Sequence, residues 1–415
     1  MLLDFSVRNY RSFYETKSFS MEAQSYSKDA STENVAKVLS YKVLKSVAFY
    51  GANSSGKSNV VNALRTMKSV VLSSVKLNPN EHLKYEPFLL LKDNNDPTLF
   101  EVTFLKNDFC YRYGFSYNET GIIDEWLFRK TTPRSKEQAL FIRESDGIAY
   151  EDKRFPEGIG LESRVNNNRL FLSLCAQLGG EISNQVISWF ETDLGLVSGL
   201  NNQEYRESSK ILFYKESNES KRALDFFKKL QLGFSEIHIQ KSLGVIGSIL
   251  DGFVSPNKYQ KIESVHSLYD KNGDVCGQVK FDFNDKESAG TNKLFDISGE
   301  IFSALEYGRV LVIDELDAKM HPLISQQIIK LFNNPETNPK NAQLIFTTHD
   351  THLLSSKLLR RDQIWFTEKN DVEQTDLYCL TDFVLSDGSK PRNDANIEKN
   401  YIAGRYGAIP YIFND

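Results

Sequence analysis

Gly51-Ala52-Asn53-Ser54-Ser55-Gly56-Lys57-Ser58 sets two glycines, a lysine and a hydroxyl at the spacing that wraps a backbone around a phosphate chain. The glycines let successive N–H groups turn inward, Lys57 brings a charge to the β- and γ-phosphates, and the Ser58 hydroxyl can ligate Mg²⁺. Asn53, Ser54, Ser55, Gly56, Lys57, Ser58 and Asn59 are therefore the candidate ATP contacts. A helix opening at this point adds positive potential from its N-terminus.

Three further runs carry groups that such a site needs. Val310-Leu311-Val312-Ile313-Asp314-Glu315 reads as a buried strand ending in two carboxylates. Asp314 would share Mg²⁺ with Ser58, and Glu315 would polarise the attacking water as general base. Leu344-Ile345-Phe346-Thr347-Thr348-His349 is a second buried strand, delivering His349 toward the γ-phosphate. Glu287-Ser288-Ala289-Gly290-Thr291 opens an amphipathic helix with small residues, an anion-binding arrangement that makes Ser288 and Gly290 candidate nucleotide contacts. Glu315, His349 and Lys57 form the expected catalytic set. His321, before Pro322, reads as a helix cap, and His352 as structural.

The elements that must hold these groups follow from patterning. Val47-Ala48-Phe49-Tyr50 is a buried strand before the glycine loop, and a helical pattern runs from Asn59 to about Val75. Residues 1–20 and 97–128 alternate, with a polar turn at Asn118-Glu119-Thr120-Gly121, so a β-rich subdomain is expected beside the loop. The chain divides into an N-terminal lobe, 1–130, a mainly helical insertion, 131–255, and a C-terminal lobe, 256–415. The fold class is α/β.

Composition narrows the setting. At 415 residues with 40% hydrophobic and 25% charged side chains, the chain is globular. No run reaches the eighteen or so apolar residues of a membrane span, and the four cysteines are too scattered for a disulfide framework or zinc site. A cytoplasmic protein without a membrane partner is expected. The net charge of −5 argues against a protein built mainly to coat nucleic acid.

Taken together, the glycine loop, the Ser-x-Gly helix start, the Asp-Glu strand and the Thr-His strand resemble the ABC-type ATPase superfamily, in its RecF/SMC/OLD-like branch. Asn9-Tyr10-Arg11-Ser12-Phe13 resembles that branch's N-terminal segment, which implies that Arg11 approaches the nucleotide. Asp314-Glu315-Leu316-Asp317 with Met320-His321-Pro322 is similar to a further stretch of that branch, and the closing Tyr401-Ile402-Ala403-Gly404-Arg405-Tyr406-Gly407-Ala408-Ile409-Pro410 is similar to the closing motif of the RloA/AbiL-type ATPases of abortive-infection and phage-defence operons. The resemblance implies a P-loop ATPase head: a parallel sheet flanked by helices, an antiparallel β subdomain and a helical insertion. It also implies a head-to-tail homodimer with two ATPs between protomers, open to higher oligomers, with Ser288 and Gly290 facing the other copy's Lys57, Ser58, Asp314, Glu315 and His349. Two departures stand out: the signature lacks the fuller L-S-G-G-Q form, and no glutamine lies between Asn59 and Arg134, so that Glu86-Pro87-Phe88 reads either as the replacement of the usual glutamine loop or as a strand edge.

Two functions fit. One is an ATP-driven switch controlling a separately encoded effector, a nuclease or toxin. The other is a RecF-like ATP-gated DNA clamp, with Lys357, Arg360 and Arg361 or the Lys228-Lys229 pair on phosphates.

Overall fold

A computed structural model describes residues 1–24, 32–199, 204–215, 217–241, 259–384, 388, 390–392 and 395–410. Strands β1 (Leu2–Arg8) and β2 (Lys17–Ser20) pair antiparallel, as do β3 (Val35–Val38) and β4 (Tyr41–Leu44). Next come β5 (Ser46–Gly51), the glycine loop and α1 (Lys57–Ser73), then a meander of β6 (Thr98–Lys106), β7 (Phe109–Asn118), β8 (Gly121–Lys130), β9 (Gln138–Glu144) and β10 (Gly147–Tyr150). Helices α2 (Phe171–Gln177) and α3 (Glu181–Ser188) precede β11 (Leu194–Ser198). Helices α4 (Arg206–Tyr214) and α5 (Asn218–Lys229) precede β12 (Glu236–Lys241), β13 (Tyr259–Tyr269) and β14 (Val275–Asp282). The short α6 (Phe283–Lys286) leads to α7 (Ala289–Tyr307), β15 (Val310–Asp314), α8 (Pro322–Asn333), β16 (Gln343–Thr347), β17 (Ile364–Lys369), β18 (Thr375–Cys379) and α9 (Ile397–Ile402).

Two sheets organise the molecule. A six-stranded sheet, order β11-β15-β16-β5-β17-β18, is parallel except for the antiparallel edge strand β18. A seven-stranded antiparallel sheet runs β10-β9-β8-β7-β6-β1-β2. The parallel strands β5 and β16 are buried at every residue, as unbroken apolar runs covered on both faces must be. Their alternate side chains feed two cores. Val47, Phe49, Val310, Val312 and Ile345 join α1 and the antiparallel sheet; Ala48, Tyr50, Leu311, Ile313, Leu344 and Phe346 join the layer of α5, α7 and α8.

Segment 131–255, expected to be mainly helical, combines helices with strands. It supplies α2 to α5, but also β9 and β10, which finish the antiparallel sheet, and β11, which pairs in parallel with β15. Gln138–Glu144 pairs antiparallel with β8 and continues the meander beyond residue 130, so the expected lobe boundary cuts through one sheet. Residues 200–203, 216 and 242–255 of the segment lie outside the described residues. Among the described residues no helix is long and apolar enough to cross a membrane.

Candidate active site

The carboxyl ends of β5, β15 and β16 lie side by side, so the glycine loop, the Asp314–Glu315 turn and His349 converge on one edge of the parallel sheet. Gly56 is left-handed at φ 115°, and a Cβ there would lie 2.3 Å from Thr375 Oγ1, so only glycine fits. Lys57 opens α1 and is buried; its Nζ donates to the carbonyls of Gly51 at 2.8 Å and Ala52 at 2.9 Å. Burial lowers its pKa to about 8, opposed by Glu315, Asp314 and Asp317.

Ser58 Oγ donates to Asp314 Oδ1 at 3.1 Å. Thr347 Oγ1 donates to the same oxygen at 2.7 Å and accepts the Glu315 N–H at 2.7 Å, locking the two carboxylate residues to β16. Glu315 itself sits in the left-handed region, φ 55°, which swings it out of the strand direction. The convergence of a hydroxyl and a carboxylate oxygen suits a hard divalent cation that takes its remaining ligands from water and phosphate, so the donor set fits Mg²⁺.

His349 follows β16, and its N–H donates to Asp317 Oδ2 at 3.3 Å. Its ring pKa is lowered from 6.5, by desolvation first and then by the Lys57 charge. Asp317 Oδ1 is buried with no hydrogen-bond partner among the described residues.

The remaining expected contacts are distributed around this edge. Asn53 and Ser54 are exposed at the loop tip, whereas Ser55 is buried and its hydroxyl pairs with Thr367 Oγ1 at 2.6 Å. Asn59 Nδ2 donates to Ser12 Oγ at 2.7 Å, which brings the Arg11 turn to the start of α1. The Arg11 N–H donates to the Glu86 carbonyl at 2.8 Å and its guanidinium pairs with the Glu86 carboxylate at 3.2 Å. Arg11, Ser12, Asn59, Phe88 and Lys369 line a cleft of about 420 Å³ there.

Ser288 caps α7 by accepting the Thr291 N–H at 3.1 Å, and Gly290 presses on the loop after β15, where an added Cβ would lie 2.8 Å from the Lys319 carbonyl. Among the described residues no hydrogen bond ties Ser288 or Gly290 to Lys57, Ser58, Asp314 or His349. His321 caps α8, accepting the Leu323 N–H at 3.2 Å as its sequence position suggests, and His352 pairs with Glu398 at 3.1 Å.

Three supporting residues escape the sequence reading. Lys293 lies buried inside α7, and Gly199 ends β11 against the Asp314 and Glu315 carbonyls. Thr347 stands inside a run chosen for its histidine. The only prior signal was a glycine closing a strand-like run, which marks close backbone approach. One candidate phosphate contact fails: Arg360 is buried and holds Asp362 by two bonds, Nε–Oδ1 2.9 Å and Nη2–Oδ2 2.7 Å. That internal pair leaves it no access to a duplex.

The family model described as "AAA domain, putative AbiEii toxin, Type IV TA system" matches residues 46–355. None of the curated proteins matches significantly. Similar solved structures include an SMC head domain from Thermotoga maritima, at 14% identity over 91% of this chain and 98% of that one, TM-score 0.42. An SmcHead bound to the C-winged helix domain of ScpA matches at 12% identity over 91% and 97%, TM-score 0.46. The recombination mediator protein RecF of the RecFOR pathway matches at 13% identity over 88% and 97%, TM-score 0.28.

Proposed function

The chain belongs to the family described as AAA domain, putative AbiEii toxin, Type IV TA system, and we propose that it hydrolyses ATP as a dimeric switch for a separately encoded effector in phage defence. The observation that carries the hydrolytic part is the bonded set Ser58–Asp314–Thr347–Glu315, with Lys57 at the same sheet edge.

Lys57 would exchange the Gly51 and Ala52 carbonyls for β- and γ-phosphate oxygens, while backbone N–H groups of the loop hold the chain of phosphates. Ser58 and Asp314 would hold Mg²⁺, which supplies charge neutralisation on those oxygens. Glu315 takes a proton from water as the new P–O bond forms and the bond to the ADP oxygen breaks. His349 positions the γ-phosphate. Ser288 and Gly290 would close the site from a second copy, so hydrolysis would release the dimer.

Glu315→Gln tests this. The variant should bind ATP, accumulate as dimer by light scattering, and lose turnover by about 100-fold or more. Normal turnover would remove Glu315 as base. The competing reading, a RecF-like clamp with DNA as primary ligand, requires duplex affinity that falls steeply with salt. Effector control requires instead that the ATP-loaded Glu315→Gln protein retain a nuclease or toxin-like protein from its native cells; retention of nucleic acid alone would reverse the preference.

A further inference from the structure

We propose that the cleft between α5 and α8 is a docking groove for an acidic amphipathic helix of the partner protein. This rests on the effector reading above, and it adds where the partner sits and what chemistry it presents.

The cleft encloses about 750 Å³, away from the glycine loop. Its apolar lining comes from Phe226 and Leu230 on the α5 side, Phe302 of α7, and Leu323 and Ile324 in the first turn of α8. Leu323 is 59% exposed, so a large aliphatic side chain stands in water on an otherwise recessed surface. Lys229 and Lys330 border the same cleft, and neither has a carboxylate partner among the described residues. Arg222, also on the wall, is already engaged by Glu306 at 3.5 Å. Among the described residues Asp225 is the one acidic residue of the lining, so Lys229 and Lys330 leave the rim positive on a chain whose net charge is −5.

Shape and charge select the occupant. Both α5 and α8 are 12 residues long, giving walls of about 18 Å, the length of a helix of three turns. An amphipathic helix lays apolar anchors at i, i+3, i+4 and i+7 into such a groove, and glutamates flanking those anchors meet Lys229 and Lys330. A DNA backbone offers no apolar face for Leu323, Phe226 or Ile324. The position also suits a switch. Helix α8 begins directly after the loop that holds Asp317, and Phe302 belongs to α7, whose first turn carries Ser288 and Gly290. A bound helix would therefore touch the two elements that join the candidate catalytic edge to the second copy.

The test uses the full chain and two labelled peptides of about four turns, both with leucines at the groove spacing, one flanked by Glu and one by Lys. The acidic peptide should bind, and the lysine peptide should not. Leu323→Glu, and separately Lys229→Glu/Lys330→Glu, should each weaken the acidic peptide by about tenfold or more while leaving the thermal midpoint unchanged, because all three side chains reach the cleft surface. The charge-reversed protein should gain affinity for the lysine peptide.

Equal binding of the two peptides, or indifference to these substitutions, would overturn the proposal. So would wild-type self-association abolished by Leu323→Glu, which would make a second copy the occupant, or competition by duplex DNA that depends on the two lysines. ATP turnover measured alongside keeps the readings apart. Normal turnover without peptide binding removes the groove alone, whereas peptide binding without turnover removes the switch and leaves the groove.

Discussion

Lys293 Nζ lies 2.6 Å from the carbonyl oxygen of Ala318, and it reaches the carbonyls of Glu315 at 3.0 Å and Leu316 at 3.1 Å as well. One ammonium on α7 thus gathers three backbone acceptors from the loop that follows Asp314. With Gly290 pressed on Lys319 a turn earlier, the start of α7 and the loop are tied together at two points. A displacement of Ser288 by a second copy would be passed to Glu315 through this clamp.

Lys293→Met should separate binding from turnover. It strands buried carbonyls, so a stability loss of about 2–4 kcal/mol is expected. ATP affinity should stay within about threefold, since Lys57 and the glycine loop are untouched, while kcat falls by about tenfold or more. Lys293→Arg should restore part of kcat. Equal losses in affinity and kcat would reduce Lys293 to a packing residue.

The pH response follows from the two buried lysines, Lys57 and Lys293, both lowered to about 8 by desolvation. Between that value and the ordinary 10.5 the unfolded chain binds more protons than the folded one. Stability contributed by these groups therefore rises as pH climbs through the window. ATP responds in the opposite sense, because a triphosphate favours the Lys57 ammonium. Its affinity should be flat below pH 8 and fall above it, by up to about tenfold per unit. Lys57→Arg, which keeps its charge, should remove that slope in a titration from neutral to alkaline pH.

Thr347 joins the Asp314–Glu315 turn to β16. Thr347→Val leaves Asp314 Oδ1 without one donor and the Glu315 N–H without its acceptor. The expected cost is about 1–3 kcal/mol, with weaker Mg²⁺-dependent ATP binding, and Thr347→Ser should restore both. A Val variant with unchanged Mg²⁺ dependence would show that Asp314 is oriented by other groups.

What the sequence discloses divides along physical lines. β5, β15 and β16 are contiguous apolar runs, and strands buried on both faces announce themselves without knowledge of their neighbours. The convergence of Ser58, Asp314 and Glu315 follows once those strands share a sheet. By contrast β11 is five residues whose partner among the described residues, β15, lies more than a hundred positions onward, so local pattern gives no sign of the pairing. Lys293 is invisible for another reason. A lysine on a helix reads as solvated, and its three acceptors exist only after the loop has folded over α7.

Gly199 offers a test of the site that avoids every charged group. A Cβ at this position would stand 2.1 Å from the Glu315 carbonyl and 2.2 Å from that of Asp314, both rigid backbone atoms. Gly195, four residues earlier on β11, meets the Leu311 Cδ1 at 3.3 Å, the far end of a side chain that can turn away, and the Val310 carbonyl at 3.6 Å, an ordinary contact. Gly199→Ala must therefore push the carboxylate turn away from Ser58, whereas Gly195→Ala should be nearly silent. Turnover in the Gly199 variant should drop by about tenfold or more, since a displacement near 1 Å suffices for that. If Gly199→Ala turns over ATP as fast as Gly195→Ala, the Asp314–Glu315 turn does not need the geometry seen here, and its place in the chemistry falls.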